Sequence, residues 1–219
     1  MSLLDPLNSA AFTAFGQEVI WSDMLGNLAG LAALALGWRR SLWTWPVQLL
    51  SGLVLVAAYA SAQLSGGVGK QVLVIAVALW GWRQWQRGSG AGGHVAVRFA
   101  TWGERGALAA GAAAGTLAVG GLFTAFPDLS WNPWPDAYIF VGTLVAMVAQ
   151  ARGLVEFWFA WLLVDLVGVP LAFDSGLPFS GLVYVVYLVL VLWGMRAWWL
   201  RSRDGAARPE PAALEGAPA

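Results

Sequence analysis

Leu79-Trp80-Gly81-Trp82-Arg83-Gln84-Trp85 and Leu192-Trp193-Gly194-Met195-Arg196-Ala197-Trp198 are two versions of one heptapeptide, set 113 residues apart. Each closes a long apolar run with Leu-Trp-Gly, an arginine and a final tryptophan. At the same offset Trp45 falls on Trp158, each near the start of the preceding apolar run. Self-similarity at a fixed spacing marks a repeated structural unit. The chain therefore reads as two copies of a three-helix unit. Three membrane crossings leave the chain on the wrong side for a second copy in the same orientation, so a parallel repeat needs one extra helix between the copies.

Working outward from the repeat, seven runs come close to the roughly 20 apolar residues that a helix needs to cross a ~30 Å hydrocarbon core. They are expected at Glu18–Gly37, Thr44–Leu64, Val68–Gln86, Arg105–Ala125, Asp136–Arg152, Leu154–Phe173 and Leu177–Trp199. Trp38-Arg39-Arg40-Ser41, Ser65-Gly66-Gly67, the glycine-rich run 88–93 and the three prolines of Pro127–Pro135 punctuate them. The fourth run is the connector; its Gly111-x-x-x-Gly115 permits close helix approach in lipid and is read as a packing surface. The runs are continuous and do not alternate as membrane strands do, which excludes a closed barrel. The expectation is an all-α integral membrane protein with seven transmembrane helices arranged 3+1+3. Its segments are an N-terminal periplasmic segment (1–17), a first repeat (18–86), a cytoplasmic loop (87–104), the linker helix (105–125), a second repeat (136–199) and a disordered cytoplasmic tail (204–219). Met1 to Gln17 lacks the basic start of a cleaved signal peptide and is read as mature sequence.

Composition points the same way. Of 219 residues 59% are hydrophobic and 11% charged, against about a quarter charged in an ordinary soluble domain. The 12 Lys+Arg balance the 12 Asp+Glu, so the basic excess of a nucleic-acid binder is absent. Position is more informative than the sum. With seven spans, Lys70 is the one basic residue on the side of the N-terminus; the 11 arginines, from Arg39 to Arg208, all fall on the other side. Basic residues mark the cytoplasmic face. The chain is expected in the bacterial cytoplasmic (inner) membrane with its N-terminus outside and its C-terminus in the cytoplasm. Trp21, Trp38, Trp43, Trp102, Trp131, Trp134 and Trp199 lie near span ends and read as an interfacial belt.

Ionisable groups inside a span are costly, which makes them functional suspects. Asp165 lies ~16 Å into the sixth run, near the bilayer centre. No Lys or Arg occupies that depth in another span; Asn27, Gln48, Gln71, Gln150, Tyr184 and Tyr187 are the available partners. Two readings stand: a neutral Asp hydrogen-bonded to one of these, or a site for a cationic or hydroxyl-rich ligand. Trp158, Trp161 and Asp165 sit at i, i+3 and i+7 of one helix, hence on one face. Aromatic rings beside an acid suit a flat organic cation. The repeat brings Trp80 and Trp193 to similar depth, so the expected cavity is lined by aromatic, amide and phenol groups with a single acid.

Catalysis finds little support. His94, the single histidine, lies in the glycine-rich loop without a companion acid; there is no Ser-His pairing, no HExxH and no phosphate-cradling Gly-x-x-x-x-Gly-Lys. Cysteine is absent, and no clustered ligands call for a metal or cofactor.

Glu156-x-Trp158-x-x-Trp161-x-x-x-Asp165, with Asp136-Ala137, Ala149-Gln150 and Gly176-Leu177 followed by Leu182-Val183-Tyr184-x-x-Tyr187, resembles the second half of the PnuC vitamin transporters. Asn27, Trp43-Thr44-Trp45-Pro46 and Gly81-Trp82-x-Gln84-Trp85 agree in the first half, so the resemblance covers about residues 18 to 200. It departs at Ile139-Phe140, where small hydroxyl residues are expected, and at Pro170, which introduces a kink. The resemblance implies a SWEET-like fold, a homotrimer with a pathway in each protomer, and facilitated diffusion of a vitamin that phosphorylation traps inside the cell. It carries substrate contact directly to Trp158, Trp161 and Asp165, and by weaker correspondence to Gln48, Gln71, Tyr184, Tyr187 and Asn27. The substrate expected first is nicotinamide riboside, with thiamine, riboflavin or deoxynucleosides as alternatives. A ligand-binding sensor subunit without transport is the alternative of another class.

Overall fold

A computed structural model of the chain describes residues 9–61, 65–88, 96–130, 132–174 and 178–206. Seven helices follow a short hairpin. The hairpin pairs β1 (Ala10–Ala14) antiparallel to β2 (Gln17–Ile20). The helices are α1 (Trp21–Trp38), α2 (Thr44–Ser61), α3 (Ser65–Gly88), α4 (Trp102–Ala125), α5 (Pro133–Ala151), α6 (Glu156–Asp174) and α7 (Pro178–Ala206). The hairpin corrects the purely α expectation, and it moves the first helix start from Glu18 to Trp21. Helix also continues to Ala206, into what the sequence assigned to the tail, and α4 begins at Trp102, inside the expected loop. The helix runs through Pro170 in α6. Residues 1–8, most of the glycine-rich run with His94, Trp131 and residues 207–219 lie outside the described residues.

Neighbouring helices close a ring. α1 packs on α2, α2 on α3, α3 on α5, α5 on α6, α6 on α7, and α7 returns to α1. α4 stands outside the ring against α5. Its sequence explains why it forms so cleanly: Thr101 caps it by accepting from Glu104 N (3.2 Å), while the Glu104 carboxylate accepts from Thr101 N (2.9 Å). α4 and the segment Gly181–Arg201 of α7 are each long and apolar enough to cross a membrane, with shorter apolar stretches in α1 and α2. Large apolar side chains such as Leu50, Val72, Leu117, Leu163 and Leu192 point outward, which suits a hydrocarbon surround.

Two tryptophan pairs build the core. Trp45 meets Trp85 edge to face at 5.4 Å between ring centres, and Trp158 meets Trp198 likewise at 6.0 Å. All four are fully buried. A β-carbon at Gly81 would overlap the Trp45 ring, and one at Gly194 would overlap the Trp158 ring. The glycines of the two heptapeptides are therefore slots for the tryptophans of the preceding helices.

The ends of α1 and α5 repeat each other at the same offset. Ser41 N donates to Leu36 O and Leu154 N to Ala149 O, each at 3.0 Å. The turn residue is left-handed in both, Arg40 at φ 57° and Gly153 at φ 68°. This is the hydrogen-bond pattern of a Schellman C-cap.

Candidate functional site

A cavity of about 330 Å³ opens inside the helix ring, within the range that holds small organic ligands. Asn27 and Gly30 come from α1, Thr44, Trp45, Gln48 and Ser51 from α2, Gln71 from α3, Thr143, Met147 and Gln150 from α5, Trp161 and Asp165 from α6, and Tyr184 and Tyr187 from α7. Every helix of the ring contributes.

Local packing fixes these groups. Tyr187 donates its hydroxyl to Asn27 O at 3.2 Å, joining α7 to α1 across the ring closure, and Gly30 leaves room for that phenol. Ser51 donates to Gly26 O at 3.0 Å, tying α2 to α1. Trp85 donates its indole N–H to Gln150 O at 3.0 Å and so anchors the end of α5.

The wall is polar but carries little charge. No Lys, Arg or His lines it among the described residues, and Asp165 is its one acid, 1% exposed. Thr44 Oγ1, Trp45 Nε1, Gln71 Oε1, Trp161 Nε1 and Asp165 Oδ2 are buried without a hydrogen-bond partner. Buried polar atoms are nearly always paired, and each exception calls for an explanation. Here five of them border one cavity, a concentration that suits a polar guest.

Of the ten residues proposed from sequence, Asn27, Gln48, Gln71, Trp161, Asp165, Tyr184 and Tyr187 line the cavity. Three do not. Trp158 is fully buried against Gly194, Phe157 and Trp198, two turns of helix before Asp165. Trp80 packs against the apolar core beside the cavity, and Trp193 is 62% exposed on the outer surface. The reason is angular: each residue advances about 100° around a helix, so burying Gly81 and Gly194 turns their neighbours Trp80 and Trp193 away. Thr44, Trp45, Ser51, Thr143 and Met147 were not singled out as lining, and Gln150 was considered only as a partner for Asp165.

Outside the ring, residues 96–101 form a strap. Arg98 N donates to Gly153 O and Val155 N donates to Arg98 O, both at 3.0 Å. Arg98 clasps Glu104 through two 2.7 Å hydrogen bonds. Glu156 of the sixth-run motif accepts from Ala100 N (2.9 Å) and Arg105 Nε (2.9 Å). This motif residue is thus structural, holding the strap to the start of α6. The Arg98 guanidinium and the Thr101 N–H hold the Glu104 carboxyl down at about 2.

A helix ring around a polar-walled cavity, with apolar side chains facing outward, defines a membrane carrier for a small organic solute. Residues 20–200 match the family described as nicotinamide mononucleotide transporter, and the chain belongs to that family, which includes PnuC. The riboflavin/roseoflavin transporter RibM of Streptomyces davaonensis is 68% identical over 215 residues, covering 97% of this chain and 99% of the relative. The nicotinamide riboside transporter PnuC of Escherichia coli is 22% identical, covering 89% of this chain and 92% of the relative. The crystal structure of the vitamin B3 transporter PnuC shares the fold with a TM-score of 0.67 at 20% identity, covering 84% of this chain and 83% of that one. The chain is a vitamin transporter of the membrane.

Proposed function

We propose that this chain imports riboflavin or a close flavin analogue by facilitated diffusion. The observation that carries the reading is the 68% identity to RibM over nearly the whole of both chains. It reverses the order expected from sequence, in which nicotinamide riboside stood first and riboflavin among the alternatives. The cavity agrees with the revised order. A flavin is a flat neutral ring system with an imide edge and a polyhydroxylated chain, and the wall offers an aromatic face at Trp161, amides and phenols, and no cation. Asp165 is the feature that favours the second reading, nicotinamide riboside, because a carboxylate attracts a pyridinium.

The same proposal includes the 3+1+3 architecture with parallel repeats. The matched Trp–Gly slots, tryptophan pairs and C-caps at one offset support it. The 11-to-1 division of basic residues supports an N-out, C-in orientation in the bacterial inner membrane. Assembly as a homotrimer and trapping of the solute by phosphorylation follow from the family resemblance. Flux of riboflavin into proteoliposomes without ATP or an ion gradient tests the function. Saturable uptake, with nicotinamide riboside a poor competitor, is expected; saturable uptake of nicotinamide riboside alone would overturn the flavin assignment.

A further inference from the structure

At its α2–α5 end the cavity carries a second polar cluster. Thr44 is the first residue of α2 and Gln150 the last but one of α5. Both side chains are more than nine-tenths buried, at 3% and 6% exposure. They converge on Gly37: a β-carbon built there would lie 2.6 Å from Gln150 Nε2 and 3.7 Å from Thr44 Oγ1. Thr44 Oγ1 is one of the buried atoms without a partner.

The repeat explains how this cluster arises. Gly37 and Gln150 occupy equivalent places at the 113-residue offset, and they touch each other. Two equivalent residues in contact lie at the pseudo-symmetry axis, where there is room for one long side chain but not two. Glycine at 37 lets the glutamine at 150 fill that space, and the 3.0 Å bond from Trp85 to its carbonyl holds its backbone still.

We propose that Thr44 and Gln150 form a subsite for the polyhydroxylated chain of the substrate, while Trp161 and Asp165 receive the flat ring. The inference rests on the flavin reading above and gives the bound molecule a direction. The hydrogen-bonding types distinguish the two ends. A hydroxyl and a primary amide each donate and accept, as sugar-alcohol hydroxyls do. Apart from Thr44, the unpartnered groups of the cavity wall are Asp165 Oδ2 and Gln71 Oε1, which accept, and Trp161 Nε1 and Trp45 Nε1, which donate. An imide edge presents one N–H between two carbonyls, so one of these acceptors can take its N–H while Trp161 Nε1 donates to one carbonyl.

The test compares riboflavin with lumiflavin, whose ring carries a methyl group in place of the ribityl chain, by fluorescence titration of the purified full-length chain. In wild type riboflavin binds more tightly than lumiflavin. The nearly isosteric Thr44→Val, and separately Gln150→Leu, weaken riboflavin binding about three- to ten-fold, the loss of one buried hydrogen bond, and leave lumiflavin unchanged. A melting temperature measured alongside identifies any variant that is unfolded, and Thr44→Val, which removes a single hydroxyl, then decides the matter. If the folded variants keep the wild-type ratio between the two flavins, the subsite is overturned while the flavin reading survives. If wild type binds neither flavin, both are overturned.

Discussion

Trp85 donates its indole N–H to Gln150 O at 3.0 Å, and at the same offset along the chain Trp198 donates to Trp38 O at 3.1 Å. The last tryptophan of each heptapeptide thus caps a helix distant in sequence, Trp85 the end of α5 and Trp198 the end of α1. Capping matters because the final carbonyls of a helix have no partner within it. Each carbonyl also has a second donor: Gly153 N donates to Gln150 O at 2.9 Å and Arg201 to Trp38 O at 3.1 Å. Trp85→Phe and Trp198→Phe should therefore each cost about 0.5–1.5 kcal/mol, one hydrogen bond lost while the carbonyl keeps its other donor. Thermal melts of the two variants in detergent check this, and a loss of several kcal/mol in either would show that its carbonyl is left unpaired.

The glycine slots give a second contrast. Gly81→Ala and Gly194→Ala place a methyl group inside a fully buried indole, and overpacking of that kind costs about 1–3 kcal/mol. Gly111→Ala meets nothing within 4 Å and should be neutral or slightly stabilising, since alanine is the better helix former by about 1 kcal/mol. Equal melting temperatures for Gly81→Ala and Gly111→Ala would contradict the slot geometry.

The strap responds to acid. Glu104 is held at about 2 in the folded chain by Arg98 and the Thr101 N–H. A carboxyl whose folded value is depressed stabilises the fold above its unfolded value of about 4.3, and that contribution is lost as the pH falls toward 2. Wild type should melt higher than Glu104→Gln at neutral pH, with the gap closing between about pH 4.3 and 2. Because the group is on the surface, raised salt should narrow the gap at neutral pH as well.

How much of this was legible in the sequence depended on period and on angle. The seven helices were, because apolar runs of membrane length are long signals; their ends moved by a few residues. The hairpin was not: β1 reads Ala-Ala-Phe-Thr-Ala, with little β-branching, and its turn is Phe15-Gly16 at positive φ, where an asparagine would have announced it. Asp165 and Trp161 were found because a carboxylate inside an apolar run is conspicuous. Trp158 shares the face of Asp165 by spacing, but it lies two turns away along the axis, where its ring packs on Gly194 and not on the cavity. Spacing reports direction around a helix and not which neighbour stands opposite. Gln150 was visible and its place was not, because only the contact with Gly37 shows that it fills the end of the cavity.

Asp165 offers the sharpest division between the two substrate readings. Its carboxyl is buried, borders the cavity and has one oxygen without a partner, so the guest supplies what that oxygen meets. A flavin meets it with an N–H, and Asp165→Asn keeps an acceptor oxygen there; riboflavin binding should fall by no more than about ten-fold, the scale of one hydrogen bond. A pyridinium meets it with charge, and removing the carboxylate should then cost more than for the neutral guest. Trp161→Ala removes the aromatic wall from both and should weaken either by about ten- to hundred-fold, given ~1–3 kcal/mol for a stacked ring. Titrating riboflavin and nicotinamide riboside against the three proteins separates these contributions: a larger loss for riboflavin than for nicotinamide riboside in Asp165→Asn would overturn this division between a hydrogen bond to the flavin and a charge contact to the pyridinium.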